Sequence, residues 1–380
     1  MMIKRFMEML EISSESGNEA EFLRYLKSQI DASLEGTCLF DGYGNLIAKV
    51  PAKNSACTEP LLFACHADTV KPGQGIHAVL EDGVVKSGGD TILGADDKAG
   101  IAEILEAISI ASSYPPLEVV FTRQEETGHL GAKHLDMTLL KSQAGFIIDL
   151  DRINAIANGG PSNMFIEVVV SGKSAHAGMH PEKGVSAIRA ASAGICSFEE
   201  GRIDDNTTVN IGTIKGGEGR NVVPEKVQII GECRSLNHEE CVAQSQRIKQ
   251  AFEVAAESIG AFARVKLELA YKAVYVPKDS AIVRLARQAV TSVGLNPKVQ
   301  VISGGTDGST LNEKGIQCVV IGTGVRDEHT TNEHILVRDM EKAVSILRYI
   351  LESSAELLAG KPDNCPPQRP FRNSRGRDSE

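Results

Sequence analysis

The chain has 380 residues, 42% hydrophobic and 24% charged, the balance of a soluble globular protein. It exceeds the ~250 to 300 residues at which single cores stop growing, so two domains are expected. Forty Lys and Arg against fifty Asp and Glu leave a formal charge of −10, which argues against a nucleic acid partner. No apolar run approaches the ~18 residues that a membrane-spanning helix needs.

The first eleven residues alternate charged and apolar side chains and read as an amphipathic helix rather than a signal peptide. Between 17 and 34, Phe22, Leu23, Leu26 and Ile30 recur at helical spacing. Apolar runs at 60–65, 117–122 and 144–150, with a helix-like segment at 98–112, indicate an α/β sheet covered by helices. Residues 162–270 follow another order: strand 163–171, helix 184–198, strands 207–214 and 226–234, helix 239–259 and strand 263–269. This β-α-β-β-α-β order is that of a ferredoxin-like α+β unit. The α/β alternation then resumes with a helix at 280–292, strands at 298–302 and 317–321, and a helix at 339–358. The expected organisation is therefore a discontinuous α/β domain, 1–160 and 271–358, interrupted by an inserted domain at 161–270. From 359 to 380 the chain turns Pro-rich and basic, which predicts a disordered tail. Eight cysteines without a C-x-x-C pair suggest neither a zinc–thiolate site nor a disulfide framework, and fit reduced thiols in a cytoplasmic protein.

Several acidic and histidine-bearing segments lie where strand-like runs end. His66 and Asp68 are two residues apart, so their side chains share one face and Asp68 is placed to orient His66. Taken alone, such a pair reads more readily as a hydrogen-bonded loop. Asp96 and Asp97 precede a helix and suit either N-capping or cation binding. Glu125 and Glu126 follow a strand and are succeeded by Gly128 and Gly131, which permit a tight turn that aims both acids at one site. Asp149 ends the third run, and His329 lies far along the chain.

Taken together the segments resemble the co-catalytic dimetal exopeptidases, a family that includes peptidase T, carboxypeptidase G, aminoacylase and succinyl-diaminopimelate desuccinylase, and they look most like the peptidase T branch. The matching pieces are Phe6-x-x-x-Leu10-x-Ile12-x-Ser14-x-Ser16-Gly17-Asn18-Glu19, His66-x-Asp68, Gly94-Ala95-Asp96-Asp97-Lys98-Ala99-Gly100, Glu125-Glu126-x-Gly128-x-x-Gly131-Ala132, Gly172-Lys173-Ser174-Ala175-His176-Ala177-Gly178 and His329-x-x-x-Glu333. The resemblance implies a zinc-exopeptidase-like α/β catalytic domain with a mixed sheet, and gives the insertion a lid or dimerisation role. It also implies two divalent ions, with zinc expected and manganese or cobalt as alternatives. Asp96 would bridge them, His66 and Asp149 would hold one, and Glu126 and His329 the other. Asp151 competes with Asp149, and His334 with His329. Glu125 would act as general base and Asp68 as the carboxylate behind His66. His176 would reach a neighbouring subunit's site and stabilise the oxyanion, which implies a homodimer. Asn221, Arg234 and the glycine-rich loop at Gly305 would contact substrate.

Charge supports the metal reading independently. Three ligand carboxylates against two divalent ions leave +1, which Glu125 neutralises; without cations, four converging carboxylates would repel one another. The expected activity is hydrolysis of short peptides, as a tripeptide aminopeptidase. A carboxypeptidase or an N-acyl amino acid deacylase would use the same centre, and a non-catalytic dimeric peptide-binding scaffold is the alternative outside the enzymes.

Overall fold

The strand Leu61–His66 is buried along its whole length. Leu61, Phe63 and Cys65 enter one hydrophobic cluster, while Leu62 and Ala64 enter another. The period-two alternation of a strand therefore puts one apolar layer on each face of the sheet. The same parity holds in Leu117–Thr122, where Val119 and Phe121 oppose Val120, and in Ala144–Leu150, where Phe146 and Ile148 oppose Ile147. Helices Met2–Leu10, Ala20–Ser33, Ala95–Ile110, Ala281–Ser292 and Val337–Ala359 contribute to the first layer. Leu135, Leu311 and Ile316 contribute to the second. Burying each such Phe, Leu or Ile side chain contributes about 1.5–3 kcal/mol.

The computed structural model describes residues 2–359, which form two compact units: 2–159 with 275–359, and 160–274. The tail expected from 359 onward lies outside the described residues, except for Ala359, the last residue of its helix.

In the first unit the sheet runs in the order Thr37–Phe40, Leu46–Val50, Leu117–Thr122, Leu61–His66, Ala144–Leu150, Gln317–Gly322 and Ala155–Gly160. The four strands from Leu117–Thr122 to Gln317–Gly322 are parallel to one another, and Leu46–Val50 and Ala155–Gly160 flank them antiparallel. The mixed sheet expected from the sequence is thus present, enlarged by the hairpin 37–50, which the apolar runs did not reveal. A second, four-stranded sheet joins Val325–Arg326, His334–Leu336, Val84–Ser87 and Ala78–Glu81. Pairing of Val325 with Ile335 and of Arg326 with His334 closes the loop 327–333 that carries His329.

In the second unit the antiparallel order is Gly201–Arg202, Thr207–Gly216, Lys226–Ser235, Ser162–Ser171 and Phe262–Tyr271. Its four long strands have the ferredoxin-like arrangement. Helices Ala187–Ile195 and His238–Ser258 close a core around Ile166, Val168, Ile229 and Phe252. The first helix is shorter than expected because Ser186 caps it, accepting a hydrogen bond from the Arg189 amide at 3.2 Å. Among the described residues no helix is long and apolar enough to cross a membrane.

Candidate metal centre

Sheet register brings the first ligands together. His66 stands beside Thr122, while Ala64 stands beside Ile147; continuing that second register by two residues sets His66 level with Asp149. Both face the same side at the C-terminal ends of parallel strands, where open α/β sheets bind ligands. His66 Nε2 lies 3.2 Å from Asp96 Oδ1 and 3.7 Å from Asp149 Oδ1. Asp151, the competitor of Asp149, instead pairs with Arg152 at 3.4 Å.

Asp96 sits at the start of the helix Ala95–Ile110, where it and Asp97 have non-helical backbone angles. The helix begins before the expected residue 98 and includes both acids. Asp96 Oδ2 lies 3.2 Å from His329 Nε2, so its two carboxylate oxygens face two different histidines. His329 Nε2 also lies 2.8 Å from Glu126 Oε1. Three groups of donors have ligand atoms within 4.8 Å of one another. Two of them, His66, Asp96 and Asp149, and Asp96, Glu126 and His329, share Asp96; the third is His66, Glu125 and Glu126. Nε2 of His334 contributes to none of them; Nδ1 of that residue lies 2.9 Å from the Asn332 carbonyl.

Asp68 has a wider part than expected. His66 Nδ1 lies 2.9 Å from the main-chain carbonyl of Asp68 and 3.6 Å from its carboxylate. The carboxylate chiefly holds the next acidic segment, accepting from the amides of Glu125 at 2.8 Å and Glu126 at 3.2 Å, and from the Ser16 hydroxyl at 2.7 Å. Burial pushes the Asp68 carboxyl up, but the hydrogen bonds, that of His66 foremost, leave it below the usual range. Glu125 is buried beside the triads, with Oε1 3.4 Å from His129 Nε2.

Glu333, known from the sequence only as the end of a His-x-x-x-Glu spacing, accepts from the amides of Gly94 at 2.7 Å and Asp96 at 2.9 Å. It clamps the loop that carries the shared carboxylate. Asp307 was also missed: the glycine-rich loop at Gly305 leads into the helix Asp307–Glu313, capped by Thr306. The Asp307 carboxylate accepts from the Thr122 hydroxyl, and its other oxygen is buried without a hydrogen bond. A strand Thr before a Glu-Glu turn and an Asp after two glycines were the available signals.

The residues fit divalent cations. Burial, then the Asp149 charge, holds the Glu125 carboxyl well above the carboxylate range. Burial pushes Asp149 up to about 6 even though His66 opposes it. Hydrogen bonds to the carboxylates of Asp96 and Glu126 push His329 up to about 10. At His66, burial favours the neutral ring but is outweighed by hydrogen bonds with Asp149, Asp68 and Asp96, which leave it well above the imidazole range. Carboxylates raised by burial and then by mutual repulsion, beside imidazoles driven toward the cationic form, signal a demand for positive charge. Divalent ions would meet it with the imidazoles neutral, and a histidine–carboxylate set without thiolate suits zinc, manganese or cobalt. The cleft above the triads encloses about 300 Å³ and is also lined by Gly304, Gly305, Thr306 and Thr323.

The remaining expected residues lie in the second unit. The Ala177 amide donates to the Asn221 carbonyl at 2.9 Å, and His176 pairs with Val222, so His176 and Asn221 share one exposed loop region. Nδ1 of His176 accepts from the amides of Gly178 at 3.2 Å and Met179 at 3.1 Å. The Arg234 guanidinium is engaged by Glu232 through two contacts, at 2.9 and 3.0 Å. That pairing occupies the fork that a substrate carboxylate would require.

A mixed sheet with His66 and Asp149 at its strand ends, met by Asp96, Glu126 and His329 from a helix start and loops, gives the chain the donor set of a metal-dependent hydrolase. Residues 62–353 match the model of Peptidase family M20/M25/M40. The chain belongs to that family. It is 36% identical to the uncharacterized protein YqjE of Bacillus subtilis (strain 168), over 93% of this chain and 98% of the relative. Two of the similar solved structures share about a third of its sequence. Aminopeptidase PepT from Bacillus cereus ATCC 10987 has 35% identity and a TM-score of 0.86, covering 94% of this chain and 98% of its own. A tripeptidase from Staphylococcus aureus has 32% identity and a TM-score of 0.89, covering 93% and 98%.

Proposed function

We propose that the chain is a two-metal aminopeptidase that releases the N-terminal residue of tripeptides. The observation that carries this reading is the pair of donor triads sharing Asp96; the similarity to an aminopeptidase and a tripeptidase supports the substrate class. His66, Asp96 and Asp149 would hold one ion, and Asp96, Glu126 and His329 the other. When bound, two divalent ions supply Lewis-acid polarisation of the scissile carbonyl and acidify water, with zinc the expected metal and manganese or cobalt the alternatives.

The chain's own residues do the rest. Glu125, whose carboxyl belongs to the buried wall of the cleft, takes a proton from the attacking water and returns it to the departing amine. Asp68 fixes the Glu125–Glu126 backbone, so that one acid remains a ligand and the other a base. Gly305 offers backbone to the peptide at the cleft wall. His176 stabilises the oxyanion in a neighbouring subunit, with Asn221 as a further substrate contact, while Arg234 stays paired with Glu232, so the inserted unit acts as lid and dimerisation domain of a homodimer. The absence of a C-x-x-C pair in the sequence is in keeping with a cytoplasmic enzyme.

Metal analysis combined with turnover of a free tripeptide and its N-acetylated form tests the proposal. Metal-dependent cleavage of the free peptide is expected. Cleavage of the blocked form alone would replace the aminopeptidase with a deacylase. Chelator-insensitive peptide binding without hydrolysis would support a scaffold.

A further inference from the structure

The geometry points to Asp151 as the group that binds the substrate's N-terminal ammonium, an inference that rests on the aminopeptidase reading above. The cleft lining contains two carboxylates that belong to neither triad and are not the proposed base, Asp151 and Glu328. It contains no lysine or arginine among the described residues. Two divalent ions would be balanced by Asp96, Glu126, Asp149 and Glu125, so Asp151, beside the exposed Arg152, and Glu328 lie outside that balance. Such a wall attracts a cation and offers nothing to a substrate carboxylate.

Substrate geometry narrows the choice. In an aminopeptidase substrate the ammonium nitrogen is separated from the scissile carbonyl carbon by one N–Cα and one Cα–C bond. With lengths of ~1.46 and ~1.52 Å and an angle of ~111°, the two atoms are ~2.5 Å apart. The anchoring carboxylate must therefore be an immediate neighbour of a metal ligand. Asp151 lies two residues beyond Asp149, one residue past the end of the strand Ala144–Leu150. The chain bends at Asp151 directly after the strand, and the residue lines the same cleft as Asp149. Glu328 precedes His329 and is exposed at the mouth, which suits it to a secondary role.

Asp151 is also free to act. Its ion-pair partner is Arg152 at 3.4 Å, with side chains 42% and 69% exposed respectively. An exposed pair of this kind is held weakly and yields to a ligand's ammonium.

The test compares wild type, Asp151→Asn and Asp151→Glu on trialanine and N-acetyl-trialanine, with metal content measured on each protein. Asp151→Asn should raise KM for trialanine by about 10- to 100-fold, the worth of one charge-assisted hydrogen bond, while leaving kcat nearly unchanged. Metal content and the rate on the acetylated peptide should not move, so the preference for the free N-terminus falls by the same factor. Asp151→Glu should recover part of the loss. An unchanged KM in Asp151→Asn, with wild type still preferring trialanine, overturns this inference and leaves the aminopeptidase reading standing. Loss of metal would make Asp151 a ligand and likewise overturn it. Wild type that cleaves only the acetylated peptide overturns the aminopeptidase reading itself.

Discussion

Glu333 makes no contact with substrate in the proposed mechanism, yet replacing it should damage the centre. It is 1% exposed, and its two oxygens separately accept from the amides of Gly94, at 2.7 Å, and Asp96, at 2.9 Å. Hydrogen bonds to a charged acceptor contribute about 1.5–3 kcal/mol each. Glu333→Ala removes both and leaves two amides without that acceptor, a loss of about 3–6 kcal/mol shared between the fold and the loop that aims Asp96. Because Asp96 serves both triads, loosening that loop weakens both ions together. Removing support behind a metal ligand typically lowers affinity or activity by about 10- to 100-fold, and that is the effect expected here. Glu333→Gln keeps one acceptor oxygen and should fall between alanine and wild type. Competition with a chromophoric chelator gives the affinities, and urea unfolding with and without metal separates the stability component. Glu333→Ala with metal affinity and kcat both within about twofold of wild type would show that the Asp96 loop holds itself, and would refute the clamp.

Glu125→Gln should bind metal normally and lose most of kcat; near-normal turnover would remove Glu125 from the base role, and metal loss would make it a ligand. Chelation should abolish hydrolysis, with recovery on adding zinc, manganese or cobalt, and activity that survives chelator would contradict the two-triad reading. Gly131→Ala should distort the Glu125–Glu126 turn, because an added Cβ would lie 2.3 Å from the Arg123 carbonyl oxygen and 2.5 Å from its amide nitrogen. Such overpacking costs about 1–3 kcal/mol, visible as a lower thermal midpoint. Glu103 is buried with neither carboxylate oxygen hydrogen-bonded. Burial, then the charges of Asp97 and Asp339, raises its carboxyl well above the ordinary value of 4.5. The native chain retains that proton where the unfolded chain releases it, so this contribution to stability is full below 4.5 and declines as pH rises toward the native value. Glu103→Gln should therefore gain on wild type as pH increases from 5 to 8; a constant difference in urea midpoints would refute the assignment.

The strands and helices were legible where periodicity was strong. The runs at 117–122 and 144–150 coincide with strands Leu117–Thr122 and Ala144–Leu150, and the spacing of Phe22, Leu23, Leu26 and Ile30 reports the buried face of Ala20–Ser33. The hairpin 37–50 escaped because Thr37–Phe40 is a short and partly exposed edge strand with no clean alternation. Residue types and strand-end positions also pointed to His66, Asp96, Glu125, Glu126, Asp149 and His329 as a set. The division of labour within the set came with the family resemblance; residue types and spacing alone left it open. Asp149 rather than Asp151 faces His66 because adjacent strand register puts it there. Asp96 is shared because the loop 327–333 brings His329 to its second oxygen, and Glu333, from the same loop, grips the amide of Asp96. Asp68 proved to hold the Glu125–Glu126 backbone more than His66, a preference set by amide directions that no spacing encodes. By itself the sequence determined which donors exist and on which elements they ride, since side-chain chemistry and periodicity are local. Only the tertiary structure decided which donors meet, because converging residues from 66 to 333 depends on register, loop closure and buried hydrogen bonds between distant segments.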